Sequence, residues 1–345
     1  MVHLRGWGFD LTNESDQGTA QMQKEINSLK DKFRGALLGV AIGDALGAPF
    51  EGRLDVDAGE FGRKAIQIRR LRYTDDTHMT IGLARSLLEM RGFDGQHMAQ
   101  VFTANFENES WRGYGAGPPQ VFNLIRAGVS WQEAARSLFG GLGSYGNGAA
   151  MRVAPVALFA YPDLDRVAQL ARQSASVTHT HPLAIDGAVV QACAVAKVLG
   201  LTRNSRTRLD PLQLLLEMEC HLATPAFRKA LNTLKRLTAR VPALDMDVVR
   251  ELGNGIEALR SVPTALYSFL RYPDSLPKAL SFAIRLGGDT DTIGAMTGAL
   301  VGAHLGEQAI PYEWTSQVEG GEELRQLADS LFAQSHDAGP AIREV

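Results

Sequence analysis

Apolar positions along this chain recur every three or four residues far more often than every second one. Ile26, Leu29, Phe33, Leu37 and Val40 make one such stripe, and Met79, Leu83, Leu87 and Met90 make another. That period predicts helices with one face in a core. The run from Leu183 to Leu199, opened by Pro182, is apolar nearly all round and rich in Ala and Val. It predicts a helix in the middle of a bundle, with proline in its first turn. Further helical patterns cover Pro211–Leu222, Asp245–Leu259, Leu276–Leu286 and Ile293–Leu305, and Ile66 with Ile68 is the one weak hint of a strand. Two helices are crowded with small residues: Gly35, Ala36, Gly39, Ala41 and Gly43 in the first, and Gly294, Ala295, Gly298, Ala299 and Gly302 in the last. A glycine inside a helix costs about 1 kcal/mol relative to alanine; close contact between two buried backbones is the natural compensation. With no repeat, linker or low-complexity stretch, the expectation is an all-α fold: a compact orthogonal bundle over residues 24–345, preceded by a loose tail over 1–23.

Composition excludes several classes. The 345 residues carry 35 Lys+Arg against 38 Asp+Glu with no basic block, so no nucleic-acid partner is expected from the chain's own field. Hydrophobic residues at 45% and charged residues at 21% describe a globular chain, not a disordered one. Cys193 and Cys220 cannot make a disulfide framework, and no Cys/His cluster has zinc spacing. The apolar stretches near Leu37–Leu46 and Ile293–Leu305 are interrupted and fall short of the roughly 20 residues a membrane span needs. Met1–Gln23 has neither a signal-peptide core nor the acid-poor character of a transit peptide. A monomeric cytoplasmic protein is expected, with the nucleus as an alternative in a eukaryote.

Two segments carry chemistry beyond folding. Tyr73-Thr74-Asp75-Asp76-Thr77 precedes the Met79 helix, and Gly287-Gly288-Asp289-Thr290-Asp291-Thr292 precedes the Ile293 helix. A single Asp or Thr at such a place is commonly a helix cap. Capping needs one side chain, however, and here carboxylates come in pairs. Neighbours in a regular helix diverge by about 100°, so a pair converges on one point only at an irregular terminus. If the two termini meet, four carboxylates repel unless cations neutralise them. Oxygen ligands without cysteine select Mg²⁺, Mn²⁺ or Ca²⁺, with Thr74 and Thr292 as added oxygens and Asp291 as the bridge between two ions. Glu51, after a helix end and Pro49, reads equally as a surface residue. Asp44, inside an apolar helix, reads as bonded to a neighbouring backbone or helix cap.

Glycine-rich loops are the remaining signal. Gly140 to Gly148 precede Ala149-Ala150-Met151-Arg152, and Arg112-Gly113-Tyr114-Gly115-Ala116-Gly117 is a second loop. Such loops present backbone N–H groups to an anion or simply turn the chain; neither fits a Walker A or GxGxxG pattern. Phe139 and Tyr145 flank the first loop as a purine sandwich or as core. His179 and His181, beside the Pro182 helix start, read first as capping or core histidines.

As a set, these segments resemble the ADP-ribosylglycohydrolase family: Gly35-Ala36-Leu37-Leu38-Gly39 with Gly43-Asp44, Thr74-Asp75-Asp76-Thr77, Gly146-Asn147-Gly148-Ala149-Ala150-Met151-Arg152, and Gly287-Gly288-Asp289-Thr290-Asp291-Thr292, in that order. Arg112 to Gly117, Gly143 to Gly148, Glu251-Leu252-Gly253-Asn254-Gly255-Ile256 and Ser261-Val262-Pro263-Thr264-Ala265 are similar to its serine-type branch. The resemblance implies a binuclear Mg²⁺ centre (Mn²⁺ as the alternative) between helix termini, held by Thr74, Asp75, Asp76, Asp289, Asp291 and Thr292. Glu51 would be the catalytic glutamate on a flap, although the stretch from Glu51 to Thr74 looks shorter than in animal members. Gly115, Gly117, Phe139, Gly143, Ser144, Tyr145, Gly146, Asn147, Gly148, His179 and Ile256 would bind substrate. The implied activity is release of ADP-ribose from O-linked, serine-ADP-ribosylated proteins, with poly(ADP-ribose) and O-acetyl-ADP-ribose as further substrates. Arginine-linked hydrolysis, a non-catalytic ADP-ribose reader and a Mg²⁺-dependent phosphohydrolase are the rivals.

Overall fold

The computed structural model describes residues 12–54, 56–67, 69–201, 209–240 and 244–337, with side chains described from Lys24 onward. Three helices form its centre: α1 (Thr12–Gly47), α10 (Pro182–Leu199) and α16 (Thr290–Leu305). Every residue of α16 is buried, and α10 is buried over almost all of its length, as their near-continuous apolar sequence demands. α1 and the Pro182 helix are long and apolar enough to cross a membrane, but 83% and 78% of the relevant windows are covered by the rest of the bundle. Residues 1–11 of the expected tail lie outside the described residues, and α1 already begins at Thr12.

Around this centre lie α2 (Ala58–Gln67), α3 (Asp75–Met90), α4 (Gly95–Asn108), α5 (Gly117–Arg126), α6 (Trp131–Ser137), α7 (Gly148–Met151), α8 (Ala154–Ala160) and α9 (Leu164–Ala175). After α10 come α11 (Pro211–Glu219), α12 (Pro225–Thr238), α13 (Asp245–Glu251), α14 (Ala258–Arg271) and α15 (Leu276–Arg285). Past α16, α17 (Tyr312–Thr315) and α18 (Gly321–Asp337) close the chain. The all-α expectation holds. No strand occurs among the described residues, only isolated bridges pairing Leu71 with Val318 and Gly146 with Glu257. Ile66 lies in α2 and is exposed, while Ile68 lies outside the described residues.

One expected helix is broken. The Asp245–Leu259 pattern divides into α13 and α14 because Gly253 takes a φ of +89° and Gly255 follows two residues later, a backbone that cannot continue a right-handed helix. His181 caps α10 by accepting from the Leu183 N–H at 3.2 Å.

The crowded glycines of α1 and α16 face each other. A β-carbon built on Gly39 would lie 2.6 Å from the carbonyl carbon of Gly298, and one on Gly298 would lie 2.7 Å from that of Gly39. Gly35 meets Gly302 and Gly43 meets Gly294 in the same way, and Gly47 abuts Thr290 and Asp291. The two helices therefore run antiparallel in backbone contact. This brings the C-terminal end of α1 to the N-terminus of α16, where the second acidic segment begins.

Candidate active site and metal centre

Both acidic segments occupy helix N-termini, and those termini meet. Thr74 caps α3 by accepting from the Asp76 N–H at 3.4 Å, and its hydroxyl donates to Asp76 Oδ2 at 3.3 Å. From α16, the Thr292 hydroxyl reaches the same Asp76 oxygen at 3.5 Å. Asp44 on α1 organises this corner. Its fully buried carboxylate accepts from the Thr74 N–H (2.9 Å), the Thr77 N–H (3.0 Å) and the Thr77 hydroxyl (2.6 Å). Burial pushes Asp44 up to about 6, and those hydrogen bonds limit the rise. The Asp75 N–H donates to the Arg112 carbonyl at 2.8 Å. Arg112 in turn is buried, paired with Glu109 and Glu319, and donates to the Tyr73 carbonyl at 2.9 Å.

Positive-φ glycines shape the other side. Gly287 (φ +69°) and Gly288 (φ +75°) press against the backbone of Arg53, Leu54 and Asn254, where a β-carbon has no room. The Gly288 N–H donates to the Arg53 carbonyl at 2.7 Å, the Gly52 N–H to the Gly288 carbonyl at 2.8 Å, and the Asp289 N–H to the Asn254 carbonyl at 2.8 Å. The segment after α1 is thereby pinned to the acidic loop, and Glu51, at the end of the Ala48–Phe50 turn, comes with it. One carboxylate oxygen from each of Glu51, Asp289 and Asp291 falls within 4.8 Å of the others.

These carboxylates are badly provided for. Burial, then Asp44, pushes Asp75 up to about 8. Burial and then Asp291 raise Asp76, and burial and then Asp289 raise Asp291. Glu51 is also raised, by desolvation and by Asp289. None of them joins an ion pair among the described residues, and Asp76 Oδ1 is buried with no hydrogen-bond partner. A buried, unpartnered carboxylate oxygen beside like charges is costly. An all-oxygen donor set of Asp, Glu and Thr fits a hard divalent cation at that oxygen. The residues present fit a metal.

A cavity of about 290 Å³ opens above them. Of the residues expected to hold metal, catalyse or bind substrate, all but Thr74 and Gly143 line it. Thr74 sits behind it as a cap, and Gly143 (φ +73°) packs against Thr180 and His181. Phe139, Tyr145 and Ile256 are each at least half exposed there, an apolar wall with nothing of its own to pack on. Phe139 even holds a φ of +53°, a conformation unfavourable to a residue with a β-carbon. His179 is buried with its ring edge against Gly148, and burial followed by Arg152 pushes it down to about 3, so the imidazole is neutral. Sequence reasoning did not single out Met151, Ala116 or Pro118 on the wall. It also missed that the Asn147 side chain turns inward, donating to Ser261 Oγ at 3.0 Å and to Asp289 Oδ2.

The family model described as ADP-ribosylglycohydrolase matches residues 25–341. The chain belongs to that family. It is 40% identical over 342 residues to "ADP-ribosylhydrolase ARH3" of Gallus gallus, covering 87% of this chain and 92% of the relative. It is 27% identical over 340 residues to "ADP-ribosylarginine hydrolase Tri1" of Pseudomonas putida, covering 91% and 80%. A solved structure titled "ADP-ribosylglycohydrolase-related protein complex" superposes with a TM-score of 0.68 at 27% identity, covering 90% of this chain and 99% of that one. As an ADP-ribosylglycohydrolase, the chain is a glycosyl hydrolase, and its acidic corner can hold a metal ion.

Proposed function

We propose that this ADP-ribosylglycohydrolase releases ADP-ribose from serine-linked conjugates, and also cleaves poly(ADP-ribose) and O-acetyl-ADP-ribose, with two Mg²⁺ at the acidic corner. The observation that carries the reading is Glu51, the cavity's most accessible carboxylate, held beside Asp289 and Asp291. Breaking a ribosyl C–O bond builds oxocarbenium character, which a carboxylate stabilises directly or by activating water. Glu51 has that task. Asp75, Asp76, Asp289 and Asp291, with Thr74 and Thr292, would hold the ions, and Asn147 fixes the Asp289 side chain by donating to its Oδ2. When bound, Mg²⁺ supplies Lewis acidity and a template for the ribose hydroxyls. The backbone N–H groups around Gly146 and Gly148 receive the diphosphate, and Phe139, Tyr145 and Ile256 receive the adenosine.

The test is incubation with a serine-ADP-ribosylated peptide and Mg²⁺, reading free ADP-ribose, beside an arginine-linked peptide at equal concentration. A serine preference is expected, consistent with the lower identity to the arginine-named relative. An arginine preference overturns the linkage and leaves the family standing. Glu51→Gln should cut turnover by at least about 10²-fold while ADP-ribose still binds; near-normal turnover removes Glu51 from the mechanism.

A further inference from the structure

Close along the chain to the acidic corner lies a surface that no part of the mechanism uses. Trp111 is 58% exposed, with the Arg112 guanidinium 4.4 Å and the Arg72 guanidinium 5.8 Å from its ring centre. Arg69, Arg70 and Arg72 are all exposed. Arg70 leans on Glu319 at 3.6 Å, whereas Arg69 and Arg72 form no ion pair among the described residues. The nearby acids Glu109 and Glu319 are already committed to Arg112. The result is an exposed indole with the Arg112 guanidinium over its ring and the Arg72 guanidinium beside it, Arg72 joining no ion pair among the described residues.

Its position is fixed by the corner itself. Asp75 and Gly113 line the cavity, the Asp75 N–H donates to the Arg112 carbonyl, and Arg112 donates to the Tyr73 carbonyl, so residues 72–75 and 111–113 run side by side. Trp111 is two residues from Gly113, within about 7 Å of chain. We infer that Trp111 with Arg72 binds the nucleotide unit on the far side of the cleaved bond when the substrate is a chain of ADP-ribose units. The inference rests on the proposed hydrolase reading and names the part of the substrate that the cavity does not hold. In such a chain the glycosidic oxygen is the 2′-oxygen of the preceding adenosine, and that unit's adenine is attached to the adjacent ribose carbon. The base is therefore held a few ångströms from the cleaved bond, within reach of Trp111. Its diphosphate extends outward toward Arg72. An indole face suits any base, and guanidinium groups suit both π-faces and phosphates; an acidic peptide would use the arginines but leave the indole without a role.

The experiment measures binding to Glu51→Gln protein, which leaves the ligand uncut, by calorimetry with Mg²⁺ present. An ADP-ribose dimer should bind more tightly than ADP-ribose, by about 5- to 150-fold if one base stacks. Trp111→Ala and Arg72→Glu, each added to that background, should erase the advantage without altering affinity for ADP-ribose, and Trp111→Tyr should keep most of it. ADP-ribose affinity also reports whether Trp111→Ala has disturbed Arg112 and Asp75, and Arg72→Glu tests the surface without touching that support. A dimer that binds no better than the monomer overturns the inference, as does an equal loss on both ligands. An advantage shown only by an acidic-flanked serine-ADP-ribosylated peptide also overturns it. Failure of ADP-ribose itself to bind is a distinct result, which removes the hydrolase reading and this inference with it.

Discussion

Replacing Gly39 by alanine tests whether the two central helices truly meet backbone to backbone. The added β-carbon would sit 2.6 Å from the Gly298 carbonyl carbon, where ordinary contact begins near 3.4 Å. Relief requires the helices to part by about 1 Å over a fully buried interface, and overpacking of that kind costs about 1–3 kcal/mol or somewhat more. Alanine's helix propensity returns about 1 kcal/mol. The net expectation is a loss of up to about 2 kcal/mol, which for a chain of this length lowers Tm by up to about 3 °C. Gly62 supplies the internal control. It also lies inside a helix, α2, but a β-carbon there meets nothing within 4 Å, so Gly62→Ala should stabilise by up to about 1 kcal/mol.

Position along the same contact separates stability from activity. A β-carbon at Gly47 would lie 2.6 Å from the Asp291 Cα, so Gly47→Ala must move a carboxylate of the acidic corner. A displacement near 1 Å at a reacting centre is worth about 10²-fold in rate. Gly35→Ala sits at the other end, against Gly302 and Gly306, and should lose stability while keeping its activity per folded molecule. Denaturation by heat and by urea, with turnover on the same preparations, checks the whole series. If Gly39→Ala is as stabilising as Gly62→Ala, the packing argument is wrong.

Three further outcomes follow. Asp44→Ala strands two buried N–H groups and a hydroxyl, so it should cost at least about 3 kcal/mol, whereas Asp44→Asn keeps an acceptor and should cost less; equal losses in chemical denaturation would count against the capping role. His179 has a native pKa of about 3 against an unfolded value near 6.5. Below pH 6.5 the unfolded chain therefore takes up a proton that the native state refuses, and stability falls as pH drops from 6.5 toward 3, by about 1.4 kcal/mol per pH unit. His179→Gln should flatten that slope in Tm measured with Mg²⁺ present, and an unchanged slope sinks the assignment. Calorimetry should find two Mg²⁺ per chain, and chelation should abolish turnover and lower Tm, with about 2.7 kcal/mol of stability lost per ion relative to cation at a hundred times its Kd; full activity in excess chelator, or one ion per chain, refutes the two-ion centre.

What the sequence disclosed depended on how local each signal was. The helical stripes and the paired acids of Asp75-Asp76 and Asp289-Thr290-Asp291 were readable because period and spacing are properties of a short segment. That the pairs meet was not readable from either one. It follows from the α1–α16 contact, of which the glycines at positions 35, 39, 43, 294, 298 and 302 were the only trace. Asp44 showed as an anomaly, a carboxylate in an apolar helix, and its partners turned out to lie 30 and 33 residues away. Asn147 gave no warning at all, because a glycine-flanked amide looks like loop chemistry whether it faces a ligand or, as here, Asp289 and Ser261. The α13–α14 break was missed for a different reason: apolar periodicity continued straight through Gly253, and only its φ of +89° ends the helix.

The charge balance of the corner explains why helix termini build it. Five carboxylates face the cavity, from Glu51, Asp75, Asp76, Asp289 and Asp291. Each helix N-terminus, those of α3 and α16, offers the equivalent of roughly +0.5 charge, so together they offset about one of the five. Arg152, a buried cation that feels the Asp75 charge, is itself pushed down to about 9 by burial and is spent on the Gly148 and Ser174 carbonyls. Fully ionised, the corner would leave about four negative charges without an internal partner, and burial with mutual repulsion resists that ionisation in the absence of cations. One divalent cation would cover half of that deficit, and two close it. This balance, together with the unpartnered Asp76 oxygen, favours two ions over one in the proposed centre. It also accounts for the fixed crossing of α1 and α16. Carboxylates that repel one another must be held in place by something indifferent to charge, and six glycines in van der Waals contact are that support.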